Sequence, residues 1–457
     1  MNNQHPTTKA RYAFVSLGCP KNLVDSERIL GLLGQQGYQL VDEPGGTDFV
    51  VVNTCGFIEE AREESYATID EMLHLKRTGR TRAVIVAGCL AERQREKLLT
   101  ERPDIDGVVG VFGREQMAEV AARVLEGTTR QRQVFRPPVT PAFPDIDRVR
   151  ITPRHFAYLK IAEGCDRLCT FCEIPKLRGK HASKPIERIV SEARELAGGG
   201  ARELILVAQD TTYYGIDLYG KPRLRELLVE LERVSVDWIR LMYLYPMYLD
   251  DDLIDTIARS SKILPYIDLP LQHIDDQILR RMSRRVSRQE TMALLQRLRA
   301  KIPNLILRTT LMVGFPGETE KAFKALVRFV EQQRFQRLGV FTYSLETNTA
   351  SASLSGHLPD KTKRKRRARL METQQRITSA YNQDQIGKTV QVLIDAPVPD
   401  HPGAWIGRTR GDAPDIDQLV FVTEADEAAL QPGDMTWCEI VAAQHYDLVG
   451  AATSTPW

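Results

Sequence analysis

Cys165, Cys169 and Cys172 lie in the stretch Glu-Gly-Cys-Asp-Arg-Leu-Cys-Thr-Phe-Cys, a C-x-x-x-C-x-x-C spacing. Three thiolates on one tight loop are close enough to ligate three irons of one cubane cluster. Iron–sulfur clusters normally take four cysteines. No fourth lies nearby, so the fourth iron stays open. A vacant metal position is a substrate-binding position, by the logic that separates catalytic from structural zinc sites. The competing reading is a zinc site short of one ligand. Zinc motifs prefer paired C-x-x-C units, and only one is present, which favours iron and sulfide. The loop directly follows Tyr158–Ala162, an apolar run of strand length, so the fold has to present the carboxyl end of a strand at a ligand site.

The chain has 457 residues, and about two to four domains are expected at that length. Apolar residues make up 42% and charged residues 27%, the balance of a soluble globular protein. The first ten residues carry no apolar core, so no signal peptide is expected. No apolar run approaches the ~18 residues of a membrane span. Six of the seven cysteines fall in two groups of three, and Cys438 stands alone. That pattern fits metal or cluster ligation in a reducing compartment better than a disulfide framework. A cytoplasmic location is expected.

Residues 11–126 alternate short apolar runs (Tyr12–Leu17, Phe49–Asn53, Ala83–Ala87) with polar helical sequence such as Glu59–Leu75. Repeated β-then-α order implies an open parallel sheet with helices on both faces. Cys19 follows the first run, Cys55 the second and Cys89 the third, spaced 36 and 34 apart. Open parallel sheets bind ligands at the carboxyl ends of their strands, so three loops at one sheet edge can bring these thiols together. Gly18, Gly56 and Gly88 beside them permit tight turns and close backbone approach. The competing reading is three buried structural cysteines, since free Cys is often core.

Residues 127–150, with Pro137, Pro138, Pro141 and Pro144, read as a strand-poor linker. Residues 151–386 show a longer alternation. Candidate strands are Tyr158–Ala162, Leu204–Ala208, Ile239–Tyr243, Ile267–Leu271, Leu305–Met312 and Leu338–Tyr343. Helices are expected at Ile186–Ala197, Arg223–Val234 and Arg288–Ala300. Six units predict a partial or full parallel (β/α) barrel, whose chemistry sits at the C-terminal strand ends. Basic Lys361–Arg369 opens a polar helix reaching about Gln385, read as a solvated face or as an RNA or ribosome contact. Residues 387–457 carry short Val- and Ile-rich runs, Thr389–Ile394, Leu419–Thr423 and Trp437–Ala442. These predict a small all-β barrel, a shape that often binds nucleic acid.

Five further stretches complete a resemblance: Ser16-Leu-Gly-Cys-Pro-Lys-Asn-Leu-Val-Asp-Ser-Glu27, Asn53-Thr-Cys-Gly-Phe57, Val207-Ala-Gln-Asp-Thr-Thr212, Pro270-Leu-Gln-His273 and Val313-Gly-Phe-Pro-Gly-Glu-Thr319. With the cysteine spacing they identify the chain as similar, over essentially its whole length, to the methylthiotransferase family of radical S-adenosylmethionine (SAM) enzymes. The resemblance implies an α/β protein of three parts: an N-terminal methylthiotransferase domain, a central radical SAM partial barrel and a C-terminal TRAM barrel. It implies that Cys165, Cys169 and Cys172 hold the 4Fe–4S cluster that reductively cleaves SAM. Cys19, Cys55 and Cys89 would hold an auxiliary 4Fe–4S cluster that carries sulfur, while a second SAM supplies the methyl group. By motif position, SAM would contact Phe171, Gln209, Gln272, Arg308, Val313 and Gly314. Gln272 and Arg308 could equally be satisfied polar residues inside the barrel, and His273 reads as structural. One departure is Glu173, where the family pattern has an apolar residue; it removes no ligand but adds a carboxylate beside the cluster. Cluster potentials span ~ −700 to +450 mV. SAM cleavage needs the low end, so an external donor such as flavodoxin is implied.

Three functions remain. One is methylthiolation of an aspartate β-carbon in small-subunit ribosomal protein S-twelve, the branch the matching stretches favour. Another is methylthiolation of a tRNA adenosine. The last is a two-cluster electron carrier, which would want fully ligated clusters. Charge separates the first two. The formal net charge is +2, yet residues 388–457 hold three Lys/Arg against eleven Asp/Glu, a charge of −8. A tRNA-binding module should be basic, whereas an acidic one attracts a basic ribosomal protein. Asp412, Asp415 and Asp417 are therefore expected to form an exposed, substrate-selecting loop.

Overall fold

In the computed structural model, residues 10–127, 132–423 and 430–453 are described. The N-terminal unit is a six-stranded, all-parallel sheet: β1 (Arg11–Ser16), β2 (Gln39–Leu40), β3 (Phe49–Thr54), β4 (Val84–Gly88), β5 (Gly107–Val109) and β6 (Gln133–Val134), in the order β2-β1-β3-β4-β5-β6. Alternate residues of β3 feed opposite faces. Phe49 and Val51 pack under the helices Pro20–Gln35 and Met117–Leu125, while Val50 and Val52 pack under Glu59–Arg77. Burial on both faces explains why β3 and β4 read as unbroken apolar runs. Strand β6 falls inside the segment expected to be strand-poor, so the first sheet extends past residue 126.

The central unit is a second six-stranded parallel sheet. Its strands are β7 (Phe156–Lys160), β10 (Glu203–Val207), β11 (Trp238–Leu241), β12 (Ile263–Asp268), β13 (Ile306–Val313) and β14 (Arg337–Thr342), in chain order from one edge to the other. A small hairpin, β8 (Ala162–Glu163) with β9 (Ala182–Ser183), follows β7. The sheet is a half-barrel with two edges, the partial form of the two expected. Its outer face carries the large aliphatic core against the surrounding helices. Its inner face holds Tyr158, Val207, Met242 and Tyr266. Into that face press Val24 from the helix Pro20–Gln35 and Leu393 and Ala413 from the third unit.

The third unit is a closed five-stranded barrel: β15 (Thr389–Pro397), β16 (Ala404–Thr409), β17 (Val420–Thr423), β18 (Met435–Gln444) and β19 (Asp447–Thr453). Val392, Ile394, Val420, Val422, Cys438 and Ile440 fill it. Cys438 is thus an ordinary core residue. The helix Asp360–Gln383 connects this barrel to the half-barrel. Among the described residues, no helix is long and apolar enough to cross a membrane.

Candidate active site

The register of the first sheet aligns Ser16 with Asn53 and Asn53 with Ala87. Cys19, Cys55 and Cys89 therefore leave the same edge of three adjacent strands. Cys19 precedes the helix Pro20–Gln35, and Cys89 starts the helix Cys89–Gln94. Cys55 is held through Ser65, whose Oγ accepts from the Cys55 N–H (3.1 Å) and donates to its carbonyl (2.9 Å). The flanking glycines let these loops close. A Cβ on Gly18, which has φ +94°, would lie 2.9 Å from the Cys55 Cβ, and one on Gly56 would lie 2.8 Å from the Cys89 carbonyl carbon. No side chain fits at either place.

Cys165, Cys169 and Cys172 form a loop at the carboxyl end of the half-barrel, just past β7 and β8. The Cys172 N–H donates to the Cys169 carbonyl (3.0 Å), and the Arg167 N–H donates to the Cys165 Sγ (3.4 Å). Both trios are thiol-only donor sets, the soft ligand type that iron–sulfur clusters take. Among the described residues, no three Cys, His, Asp or Glu side chains converge tightly enough for a single metal ion. A cubane asks for something else, one thiolate on each of three irons. Burial pushes the Cys89, Cys165 and Cys172 thiols up to about 12. A coordinated cation removes such protons outright. Cys19 differs: burial raises it, but the charges of Lys21 and Arg178 outweigh burial and hold it below the ordinary thiol range.

Arg178 bonds across the boundary between the two units. It ends the short helix Ile174–Arg178, which begins two residues after Cys172. Its guanidinium donates to Asp25 (2.9 Å), Glu163 (3.0 Å) and the Asn22 side chain (3.2 Å), and its positive charge works against the burial that raises the Cys89 thiol. Asp25 also pairs with Arg114 and Lys160. Asp145, in the expected linker, pairs with Arg114 and Lys184 (both 2.7 Å). The linker is therefore strapped into a buried charge network between the units. Lys21, beside Cys19, sits with its Nζ 3.3 Å from the centre of the Tyr243 ring.

Glu173 turns away from the cluster loop. It pairs across the domain boundary with Arg93, four residues after Cys89, and Arg93 also meets Glu346 (2.8 Å), as does Arg62 (2.7 Å). The extra carboxylate is a fastener between the two cysteine loops.

The residues expected to contact SAM divide. Phe171 packs against Phe315 beside the cysteine loop. Gln209 donates to Glu163 (2.9 Å), while its own buried oxygen has no partner among the described residues. Gln272, with φ +70°, bridges to β13, accepting from Met312 N (2.7 Å). Val313 ends β13, and the Gly314 N–H donates to Glu318. All five lie at carboxyl strand ends. Arg308 does not: it sits in the first half of β13 and is spent on Asp268 (2.8 Å) and Asp417 (3.4 Å) of the small barrel. These ion pairs favour the reading of Arg308 as a satisfied polar residue inside the half-barrel over a SAM contact. His273 is buried, its Nδ1 accepting from Asp275 N, and burial pushes the ring down to about 4. It is a neutral structural histidine.

The acidic loop also needs correction. Asp412 is fully buried and paired with Arg337 (2.6 Å). The Asp417 side chain is 2% exposed and accepts from the Tyr266 hydroxyl (2.6 Å). Only Asp415 faces solvent. The loop is acidic because the half-barrel's inner face presents arginines, and its carboxylates neutralise them. Glu424, Asp426 and Glu427, part of the same charge excess, lie outside the described residues.

A parallel half-barrel with a three-thiol loop past its first strand, joined to a second three-thiol sheet and a small barrel, defines a two-cluster radical SAM enzyme. Residues 159–330 match the Radical SAM superfamily, residues 11–110 the uncharacterized protein family UPF0004, and residues 386–453 the TRAM domain. The chain shares a fold, over most of its length, with TsrM, a radical S-adenosylmethionine methyltransferase from Kitasatospora setae. The TM-score is 0.54 at 15% identity, covering 75% of this chain and 77% of that one. Among relatives, the ribosomal protein uS12 methylthiotransferase RimO of Lachnoclostridium phytofermentans is 44% identical, covering 96% of this chain and 99% of that protein. The protein of the same name from Pelotomaculum thermopropionicum is 46% identical over 96% of this chain and 98% of that protein. The chain belongs to the RimO family of methylthiotransferases.

Proposed function

We propose that this protein is a radical SAM methylthiotransferase that places a methylthio group on the β-carbon of an aspartate in ribosomal protein uS12. The observation that carries the reading is the pair of thiol trios, one at the carboxyl edge of each parallel sheet, with Arg178 bonded across the boundary between the two units. Cys165, Cys169 and Cys172 would hold one 4Fe–4S cluster, and Cys19, Cys55 and Cys89 the other. When bound, these clusters and SAM supply a 5′-deoxyadenosyl radical and a sulfur carrier. The protein's share is positioning and exclusion of side reactions. Phe171, Gln209, Gln272, Val313 and Gly314 would line the SAM site, with the unpartnered Gln209 oxygen free for a donor on the ligand. Lys21 and Arg178 place positive charge beside the auxiliary thiolates, which favours their ionised form.

The protein is assigned to the cytoplasm, with a low-potential carrier such as flavodoxin as electron source. A ribosome contact is supported by Lys361, Arg364, Lys365 and Arg367, exposed basic residues at the start of the helix Asp360–Gln383 that pair with no carboxylate among the described residues, whereas Lys363, Arg366 and Arg369 do. Intact-mass measurement of ribosomal proteins from cells with and without the gene tests the substrate. One methylthio group on uS12, present only with the gene, is expected. Unmodified uS12 together with a gene-dependent methylthio-adenosine in tRNA would move the protein to the tRNA branch.

A further inference from the structure

Residues 280–288 read Arg-Arg-Met-Ser-Arg-Arg-Val-Ser-Arg, five arginines in nine positions. Buried arginines elsewhere in the molecule, such as Arg178, Arg240, Arg337 and Arg408, all meet carboxylates. Among the described residues, none of these five guanidiniums does. Arg281 donates to the carbonyls of Pro316 and Ser355, and Arg284 to that of Pro270. Arg280, Arg285 and Arg288 project into solvent.

This segment lies on the cluster loop. The Thr170 N–H donates to the Met282 carbonyl (3.1 Å) and the Thr170 hydroxyl to that of Arg281 (2.8 Å). Arg284 Nη1 is 4.0 Å from the Cys169 Sγ. The Arg285 N–H reaches the Tyr245 hydroxyl (3.3 Å), and the same ring packs against both Arg284 and Arg167. Leu168, between Arg167 and Cys169, is 70% exposed. No other large apolar side chain among the described residues is so exposed. Tyr248, stacked near Arg167, adds an aromatic edge. Acids adjoining these residues are engaged: Asp166 accepts from the His181 N–H, Asp275 caps a helix, Asp276 accepts from the Arg288 N–H, and Glu290 accepts from the Ser287 N–H.

We infer that Leu168, Tyr248, Arg280, Arg285 and Arg288 form the docking face for an acidic, low-potential one-electron carrier of the flavodoxin type. The inference rests on the radical SAM reading of the loop beneath. An apolar centre ringed by unpaired positive charge suits a small, transient, charge-steered encounter. Electron transfer weakens steeply with distance, and this face touches the ligand loop itself. In the encounter the carrier loses one electron and the loop-held cluster gains it. RNA would also meet the arginines, but it gives no reason for an exposed leucine on the cluster loop.

The test compares the reconstituted holoenzyme with its R280E/R285E/R288E variant and a K361E/R364E/K365E control. Flavodoxin affinity is measured by calorimetry at two salt concentrations. SAM cleavage is driven either by flavodoxin with its reductase or by dithionite. The first variant should bind flavodoxin about tenfold or more weakly and lose most of the salt dependence, as removal of steering charges predicts. It should cleave SAM normally with dithionite; the control should match wild type in flavodoxin affinity and in SAM cleavage by either reductant. Unchanged flavodoxin affinity in the first variant, or loss of ribosomal RNA binding with flavodoxin binding intact, would overturn the docking face. Failure of wild-type cleavage with dithionite would instead count against the proposed function, while the affinity comparison still decides the docking face.

Discussion

Asp412 shows why a charged residue cannot be placed from its neighbours in sequence alone. It stands in a run of acids broken by Pro414, a pattern that signals surface, yet its carboxylate is enclosed with Arg337. Removing one member of a buried pair strands the other, at a cost of ~3–5 kcal/mol. Asp412→Ala should therefore lower stability by about that much in chemical denaturation, and Arg337→Met added to it should restore part of the loss. A full loss in the double variant would mean the two residues act independently. The placement of the cysteines at adjacent strand ends was legible because spacing and strand ends are both written locally. Reconstituted protein should carry about eight irons by iron and sulfide analysis, since each trio suits a four-iron cluster. Alanine at Cys165, Cys169 and Cys172 should abolish 5′-deoxyadenosine formation. Alanine at Cys19, Cys55 and Cys89 should leave it while product is lost. A four-iron protein, or loss of cleavage in the second variant with its central cluster intact, would refute this division. Arg178 and Lys21 carried no such signal; their roles depend on which domain lies opposite.

At the scale of elements, long apolar strands read correctly and short or unusual ones did not. β2, β5 and β6 have two or three residues each, too few to show a period. β16 (Ala-Trp-Ile-Gly-Arg-Thr) hides behind a glycine and an arginine, and β19 behind small residues. The arginine is the missed clue. Charges inside apolar strands, such as Arg240 in β11, Arg308 in β13 and Arg408 in β16, mark inward positions awaiting a partner. Glu203 answers two of them, Arg240 (2.6 Å) and Arg408 (2.7 Å), and Asp395 binds Arg408 (2.7 Å) and His155 (2.7 Å). Burial pushes both carboxyls up, but these partners outweigh burial and hold both below the usual range. A depressed folded value means stability that is fully present above the unfolded value, about 4, and lost as pH falls through the folded one. The small barrel's docking should thus be constant from neutral pH down to about 4 and weaken below it. Calorimetry of wild type against Glu203→Gln across that range checks this, and an equal acid response in both would exclude Glu203 as its source.

On the scale of the whole molecule, three units were evident in the sequence, but not how they interlock. The apparent linker is a strap, and the network of Asp25, Arg114, Asp145, Lys160, Glu163 and Arg178 draws on the N-terminal unit, the strap and the half-barrel together. Arg178→Met should loosen the N-terminal unit, seen as faster proteolysis near residues 127–150. It should reduce methylthiolated product more than 5′-deoxyadenosine, because the cleavage loop keeps its own ligands. An unaltered product ratio would show that Arg178 has no part in coupling the sites.

The helix Ile174–Arg178 is one turn of chain with Cys172 just before it and, at its end, a guanidinium held by Asp25 of the other unit. Holding Cys172 in place would order this turn and with it the Arg178–Asp25 bond across the boundary. Loading of the proposed Cys165, Cys169 and Cys172 site would then tighten the seam between the two units, and a tightened seam would favour loading by the same amount.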